Sequence, residues 1–279
     1  MRYRVKHRTG FSYPGGATAS YNEVRMLPAR DDSQVVFSSK LEIKPHPASH
    51  EYLDYFGTRV VVFEVLEPHL SLEITSQSTV EVREIDHVAH SISWDQLAQA
   101  VQTNLELTDA VLQTPRTLIP ADLSRYAKTV ASQSDVTQTA QAIFNHIHTK
   151  MKYQTGSTAV HSVAAEAWSK KSGVCQDFAH LALGALRAAG IPARYVSGYL
   201  HPKANPELEI AVVGESHAWV EWWCGSWQAA DPTNAVPVGQ RHIVVGRGRD
   251  YDDVPPLRGV YAGTSGSELF VSVEITREA

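Results

Sequence analysis

The sequence predicts an α+β protein in which a β-rich N-terminal region precedes a mixed helical and strand-forming region. Three observations carry this. Residues 1–85 alternate apolar and polar side chains at a period of two, residues from about 94 to 190 change to a helical period, and strand-like runs resume after Pro192.

In the first region, "RYRVKHRT" sets Tyr3, Val5 and His7 against charged neighbours, the pattern of a half-buried strand. "VVFSSKLEI", "TRVVVFEVLE" and "LSLEITSQSTVEV" continue it, separated by the turn-forming "KPHPASH" and "DYFGT". Short strands so punctuated predict a small β-sandwich over residues 1–90, with a second domain over 91–279 and the boundary near 86–93.

Next come "WDQLAQAVQTNLELTDAVL" and "ADLSRYAKTVASQ", two helical stretches on either side of a break at Pro115 and Pro120. "SDVTQTAQAIFNHIHTKMKY" places Val136, Ala140, Ile143, Ile147 and Met151 on one stripe, with Ser134 or Asp135 as N-cap. A short helix over "SVAAEAWSKK" stops at Gly173. The helix after it carries Phe178, Leu181, Ala182, Ala185 and Ala189 on its buried stripe and ends at "AAGIP", where Gly190 caps and Pro192 prevents continuation. "ARYVSGYL", "SHAWVEWW", "SWQAAD" and "LFVSVEIT" read as strands.

Composition excludes several function classes. With 25 Lys+Arg against 30 Asp+Glu the net charge is −5, and no run of like charge forms a footprint for nucleic acid or anionic lipid. No stretch of 18 apolar residues predicts a membrane span, and "MRYRVKHRTG" has no apolar run behind its charges to act as a secretory signal. Two cysteines in such a chain predict reduced thiols in a cytoplasm. No cofactor or metal is expected. There is no CxxC or HExxH, His146 and His148 fall on different helix faces, and His46 and His50 lack ligand company. "VVGRGRD" lacks the strand–helix setting of a dinucleotide loop, so Arg247 and Arg249 read as loop anchors; Arg249, Asp250 and Asp253 could order a loop near a cleft.

The chemistry gathers at "SGVCQDFAHL". Cys175 falls in the first helical turn, where free N–H groups and the positive end of the helix dipole favour a thiolate. Gly173 leaves room for a substrate to approach, and Asp177 reads as a cap. Downstream, "SHAWVEWWCGSWQAADPTN" reads as a hairpin with "WCGS" at its loop. A loop centred on Cys224 puts His217 directly opposite Asp231, so that the carboxylate orients the imidazole and stabilises its charged form. Cys224 itself reads as an incidental thiol. The neighbouring Trp219, Trp222, Trp223 and Trp227 divide between core and substrate groove by strand alternation, and Trp219 is a substrate-lining candidate.

"GVCQDFAHLALGALRAAGIPARYVSGYL", "SHAWVEWW" and "ADPTN" resemble, in order, the three catalytic blocks of the transglutaminase-like superfamily. "YRVKHRTGFSYPGGATASYNEVRMLPA" and "GRDYDDVPPLRGVY" are similar to bacterial transglutaminase-like proteins provisionally grouped with cysteine proteases, so the resemblance covers nearly the whole chain. It implies a papain-like transglutaminase core behind the N-terminal β region. It also implies that Cys175 is the nucleophile, His217 the general base and acid, and Asp231 the orienter. The papain-type signature around the cysteine is absent.

From these residues follows acyl transfer on a peptide, isopeptide or side-chain amide through a thioester at Cys175, with a peptide or protein amide as partner. Transamidation, joining a glutamine to an amine, needs the same groups. A non-catalytic scaffold with a vestigial site is the reading from a different class. The Cys175 backbone N–H is the first oxyanion donor; Tyr153, which recurs near the site in similar sequences, and the Gln176 amide are candidates for the second. The oligomeric state is not legible.

Overall fold

The computed structural model describes residues 1–84, 91–264 and 266–279. The expected boundary at residue 90 lies outside the described residues.

The N-terminal strands are β1 (Arg2–Val24), β2 (Gln34–Lys44), β3 (Ser49–Leu53), β4 (Arg59–Val65) and β5 (His69–Val82). Along the first half of β1, buried Tyr3, Val5, His7 and Thr9 alternate with exposed Arg4, Lys6 and Arg8. This half pairs with β5, the second half pairs with β4, and the register breaks between Ser12 and Ala17. The break turns one strand into a member of two layers. Ile43, Leu72 and Ile74 from the β2–β5 side meet Val61, Phe63 and Val65 from β4 across Tyr13, Ala17 and Val24 of β1. Each such side chain contributes roughly 1.5–3 kcal/mol by leaving water.

Six helices follow among the described residues. In α1 (Trp94–Thr103), Ser93 and Gln96 form a reciprocal capping box. Asn104 caps α2 (Leu105–Val111), and Pro120 precedes α3 (Ala121–Ala131). In α4 (Val136–Lys150) the cap is Asp135, which accepts from the Gln138 N–H at 2.8 Å. Val136, Ala140, Ile143 and Ile147 of α4 are fully buried. Then come β6 (Lys152–Tyr153), α5 (Ala164–Lys170), β7 (Ser172–Gly173) and α6 (Cys175–Ala188), with β6 and β7 paired in parallel. A single apolar stripe was expected on α6, yet Phe178 through Arg187 are all buried. The difference has a packing cause: α3, α4 and α5 cover one side of α6 while strands β8 (Ala193–Leu200) and β9 (Ala211–Trp223) cover the other. At its end the Gly190 N–H bonds the Arg187 carbonyl and the Ile191 N–H bonds the Leu186 carbonyl, with Gly190 at a φ of 85°. This is the Schellman arrangement that the "AAGIP" signal predicts.

The remaining strands are β10 (Trp227–Asp231), β11 (Val236–Pro237), β12 (His242–Gly248), β13 (Leu257–Gly263) and β14 (Glu268–Arg277). In the second region the strand order is β12, β8, β9, β10, β11. Both C-terminal strands return to the first region: β13 and β14 pair with β1, and β14 also pairs with the start of β9. One continuous antiparallel sheet therefore joins the two regions, and Tyr3, Val5 and Val80 share a core with Tyr199, Ile243 and Ile275.

Candidate active site

Three short segments converge on the thiol. Cys175 is the first residue of α6, and the first intrahelical bond is made by the Asp177 N–H to the Val174 carbonyl. The amides of Cys175 and Gln176 thus belong to the unpaired first turn, where anions are stabilised. Asp177 acts as the cap that its position suggests: its Oδ2 accepts from the Val174 N–H at 2.8 Å and from the Thr158 hydroxyl at 2.6 Å. This alters the reason for Gly173. A Cβ there would lie 2.6 Å from Asp177, so the glycine makes room for the cap.

The Cys175 thiol lies near enough to the His217 ring to favour its charged form, and His217 Nε2 bonds Asp231 Oδ2 at 2.8 Å. The hairpin register behind this contact differs from the expected one. Trp223 pairs with Trp227 and Val220 with Ala230, which centres the loop on Gly225, not Cys224. Gly225 adopts a φ of 108°, and the Cys224 N–H closes the loop on the Ser226 carbonyl. His217 and Asp231 are therefore diagonal, not directly opposite. A shift of two residues keeps both on the same face, and the long imidazole spans the diagonal.

Asp231 is more heavily engaged than the sequence suggests. Its Oδ2 also accepts from Asn234 Nδ2 at 2.8 Å and from His242 Nε2 at 3.4 Å; Oδ1 accepts from the backbone N–H groups of Thr233 and Asn234. Burial disfavours its charge, but the bonds from His217, His242 and Asn234 outweigh it and hold the carboxyl well below the usual carboxylate range. Burial likewise works against a charged His217. Asp231 and the thiol more than offset it, and the imidazole pKa is pushed up to about 9. A neutral His242 fits its contacts: the Gly239 N–H donates to Nδ1 at 3.2 Å, leaving Nε2–H to face Asp231, and burial lowers its pKa.

Of the other expected site residues, Tyr153 lines the cleft beside His217 and is 46% exposed. Burial, then the Cys175 and Glu215 charges, raise its phenol pKa, which brings it into electrostatic reach of the thiol. Gln176 directs its amide N–H to the Val160 carbonyl at 3.0 Å, so that donor is engaged with a loop. Arg116 holds the same carbonyl at 2.6 Å while pairing through two bonds with Asp252. Here the "GRDYDDVPP" block finds a role, with Arg249 on Asp253 and Asp250 capping the Tyr251–Asp253 turn. Trp219 corrects the expectation of a groove-lining ring. It is 0% exposed, stacks at 6.1 Å on His217, and meets His242 edge-on at 5.2 Å. Alternation places it on the His217 face, but β12 and Ala29 cover that face at this point. Gly198 permits the stacking, since a Cβ there would lie 2.5 Å from the indole.

Asn234 and His242 are site residues that the sequence reading missed. Asn234 lies inside "ADPTN", three residues past Asp231 at turn spacing, a usable signal. His242 carries none, because it arrives through the pairing of β12 with β8. The ligand atoms of His217, Asp231 and His242 lie within 4.8 Å of one another, a spacing compatible with a cation, yet each already takes part in the hydrogen bonds described. The histidines of α4 serve separate ends: His146 stacks on Tyr126 at 3.8 Å and His148 bonds the Thr233 carbonyl. Cys224 is buried, and burial raises its thiol pKa.

Comparison with known proteins bears on the family and the fold. Residues 124–232, which contain Cys175, His217 and Asp231, match the model of the transglutaminase-like superfamily, and residues 3–81 match the bacterial transglutaminase-like N-terminal region. An uncharacterised protein of Mycobacterium leprae is 42% identical over 279 residues, covering 100% of this chain and 99% of its own. A protein-glutamine gamma-glutamyltransferase of Pseudomonas aeruginosa is 36% identical over 97 residues, 33% of this chain and 14% of that one. Among solved structures, a protein of Cytophaga hutchinsonii provisionally described as a cysteine protease superposes with a TM-score of 0.77 at 22% identity, covering 98% of this chain and 90% of its own. The chain belongs to the transglutaminase-like superfamily, with a bacterial transglutaminase-like N-terminal region ahead of an α+β core.

Proposed function

We propose that the protein is a cysteine-dependent acyl-transfer enzyme acting on a peptide, isopeptide or side-chain amide. The observation that carries this reading is the His217–Asp231 hydrogen bond at 2.8 Å, held beside a cysteine that opens α6 and raises the imidazole pKa. The thiolate attacks the amide carbonyl and the electron pair moves to oxygen, where the N–H groups at the start of α6 offer stabilisation. As the tetrahedral intermediate collapses, the C–N bond breaks and imidazolium His217 gives its proton to the departing nitrogen. Neutral His217 then takes a proton from water, whose oxygen attacks the thioester and frees the acid and the thiol. An amine entering in place of water would give a new amide; the local similarity to a gamma-glutamyltransferase favours keeping this second outcome.

Two free thiols, one of them catalytic in this reading, favour a reducing compartment, and we assign the enzyme to the cytoplasm. No helix among the described residues is long and apolar enough to cross a membrane. The test is a screen of peptide, γ-glutamyl and isopeptide amides, with and without a primary amine, comparing wild type with Cys175→Ala by mass spectrometry. Turnover and an acylated Cys175 are expected only in wild type. Equal turnover by Cys175→Ala, or two equally slow thiols toward iodoacetamide, would refute the assignment and favour a scaffold.

A further inference from the structure

A cleft of about 490 Å³ opens beside His217, lined by Tyr153, Thr233 and Asn234 together with Glu215 and Arg241. Its position relative to the chemistry gives it a role. The general acid delivers its proton to the departing nitrogen, so that nitrogen and the group it carries must lie on the imidazole side of the thiol. The cleft is bordered by His217 and by Tyr153, whose strand partner Gly173 stands two residues before Cys175. It is therefore where a leaving amine departs and where an attacking amine would enter.

The walls of the cleft carry opposite charges. Glu215 stands two residues before His217 on β9, hence on the same face of the strand, and is exposed. Arg241 immediately precedes β12 and gives one N–H to the His201 carbonyl at 3.0 Å. Neither has an ion-pair partner among the described residues, whereas Arg116, Arg194, Arg247 and Arg249 do. Arg241 disfavours the charged form of His242, and the Glu215 charge raises the Tyr153 phenol pKa, so both act on groups at the site. Two unpaired charges of opposite sign thus border a concavity that an amine must occupy during the reaction.

Resting on the function proposed above, we infer that the cleft binds a dipolar leaving group: an amino-acid residue with a free carboxylate facing Arg241 and a second, cationic amine facing Glu215. A diamino acid at the carboxyl terminus of a short peptide has this chemistry, and lysine linked through its α-nitrogen is its simplest form. A neutral or singly charged residue satisfies one wall at most. Exposed charge pairs contribute little singly, so each contact should act as a preference among substrates, not as a condition for turnover.

The test uses the acyl group found by the amide screen, joined to lysine, norleucine or lysinamide. For wild type, kcat/KM is expected to be about two- to fivefold higher for lysine than for either of the others. Glu215→Gln should erase the preference over norleucine and Arg241→Gln the preference over lysinamide, while Arg241→Lys should keep it. Glu207→Gln, on the loop between β8 and β9, serves as a control that should retain both. Turnover without discrimination, or preferences unmoved by the two substitutions, would overturn this inference and leave the proposed function standing. Absence of turnover together with absence of Cys175 acylation would overturn both.

Discussion

Two aspartates flank the thiol, both buried, and they are treated in opposite ways. Asp231 is 2% exposed and Asp177 is 1% exposed. Five hydrogen bonds converge on Asp231, and its pKa falls. Asp177 accepts two, both on Oδ2, while Oδ1 has no partner among the described residues; burial prevails and its pKa rises. Equal burial therefore does not decide the direction of a pKa shift. The number of donors does, and here donors are supplied where a positive imidazole must be held and withheld where a helix end needs only a cap.

The sharpest way to break this contrast is Asp231→Ala, which should lower kcat about 10²–10⁴-fold with substrate binding little altered, measured by steady-state kinetics. The pH profile refines it. With His217 at about 9, inactivation of Cys175 by iodoacetamide should lose its ion-pair character near pH 9, and Asp231→Asn should move that alkaline limb downward. A limb that stayed in place would show that Asp231 does not set the imidazole charge. The same shift contributes to stability. His217 has a folded pKa above its unfolded value near 6.5, so its contribution is complete below about pH 6.5 and is lost as pH rises toward 9. Urea titrations across that range should show wild type declining more than His217→Gln.

Smaller effects test the other members. His242→Phe removes the longest of the five bonds to Asp231 and should cost about tenfold in kcat, with a smaller shift of the alkaline limb than Asp231→Asn. Asp177→Ala deletes the bond to the Val174 N–H and should cost about 1–2 kcal/mol in chemical denaturation. Asp177→Asn keeps a carbonyl oxygen for that bond and should cost less than about 1 kcal/mol. A loss as large as that of Asp177→Ala would mean that the cap depends on the carboxylate charge.

What was legible in the sequence was local. The Asp135 cap, the α4 stripe, the Gly190 termination and the helix start at Cys175 are set by neighbours within a turn or two, and the structure has them. The hairpin was legible as a hairpin, but its centre was not. Cys224 and Gly225 are adjacent, and only the positive φ of Gly225 shows where the chain reverses. Long-range pairings left no periodicity to read. His242 reaches Asp231 through β8, Trp219 is covered by Ala29 from the N-terminal region, and β13 and β14 add to β1 across almost the whole chain. Even α6, read as one-sided, required knowledge of the layers on both sides to be seen as buried all round.

The placement of β14 between β1 and β9 also bears on the order of assembly. Val212 and Val213, just ahead of Glu215 and His217, take their partners from Ile275 and Glu274. Cys175 sits at the start of a helix whose turns can form early, whereas the strand presenting His217 is anchored by a contact that closes a very long loop. A chain emerging from the ribosome would therefore carry its thiol well before the sheet that positions His217 is closed. Reactivity at Cys175 should appear late in refolding, in step with the docking of β14, so that a nascent chain is spared its own chemistry.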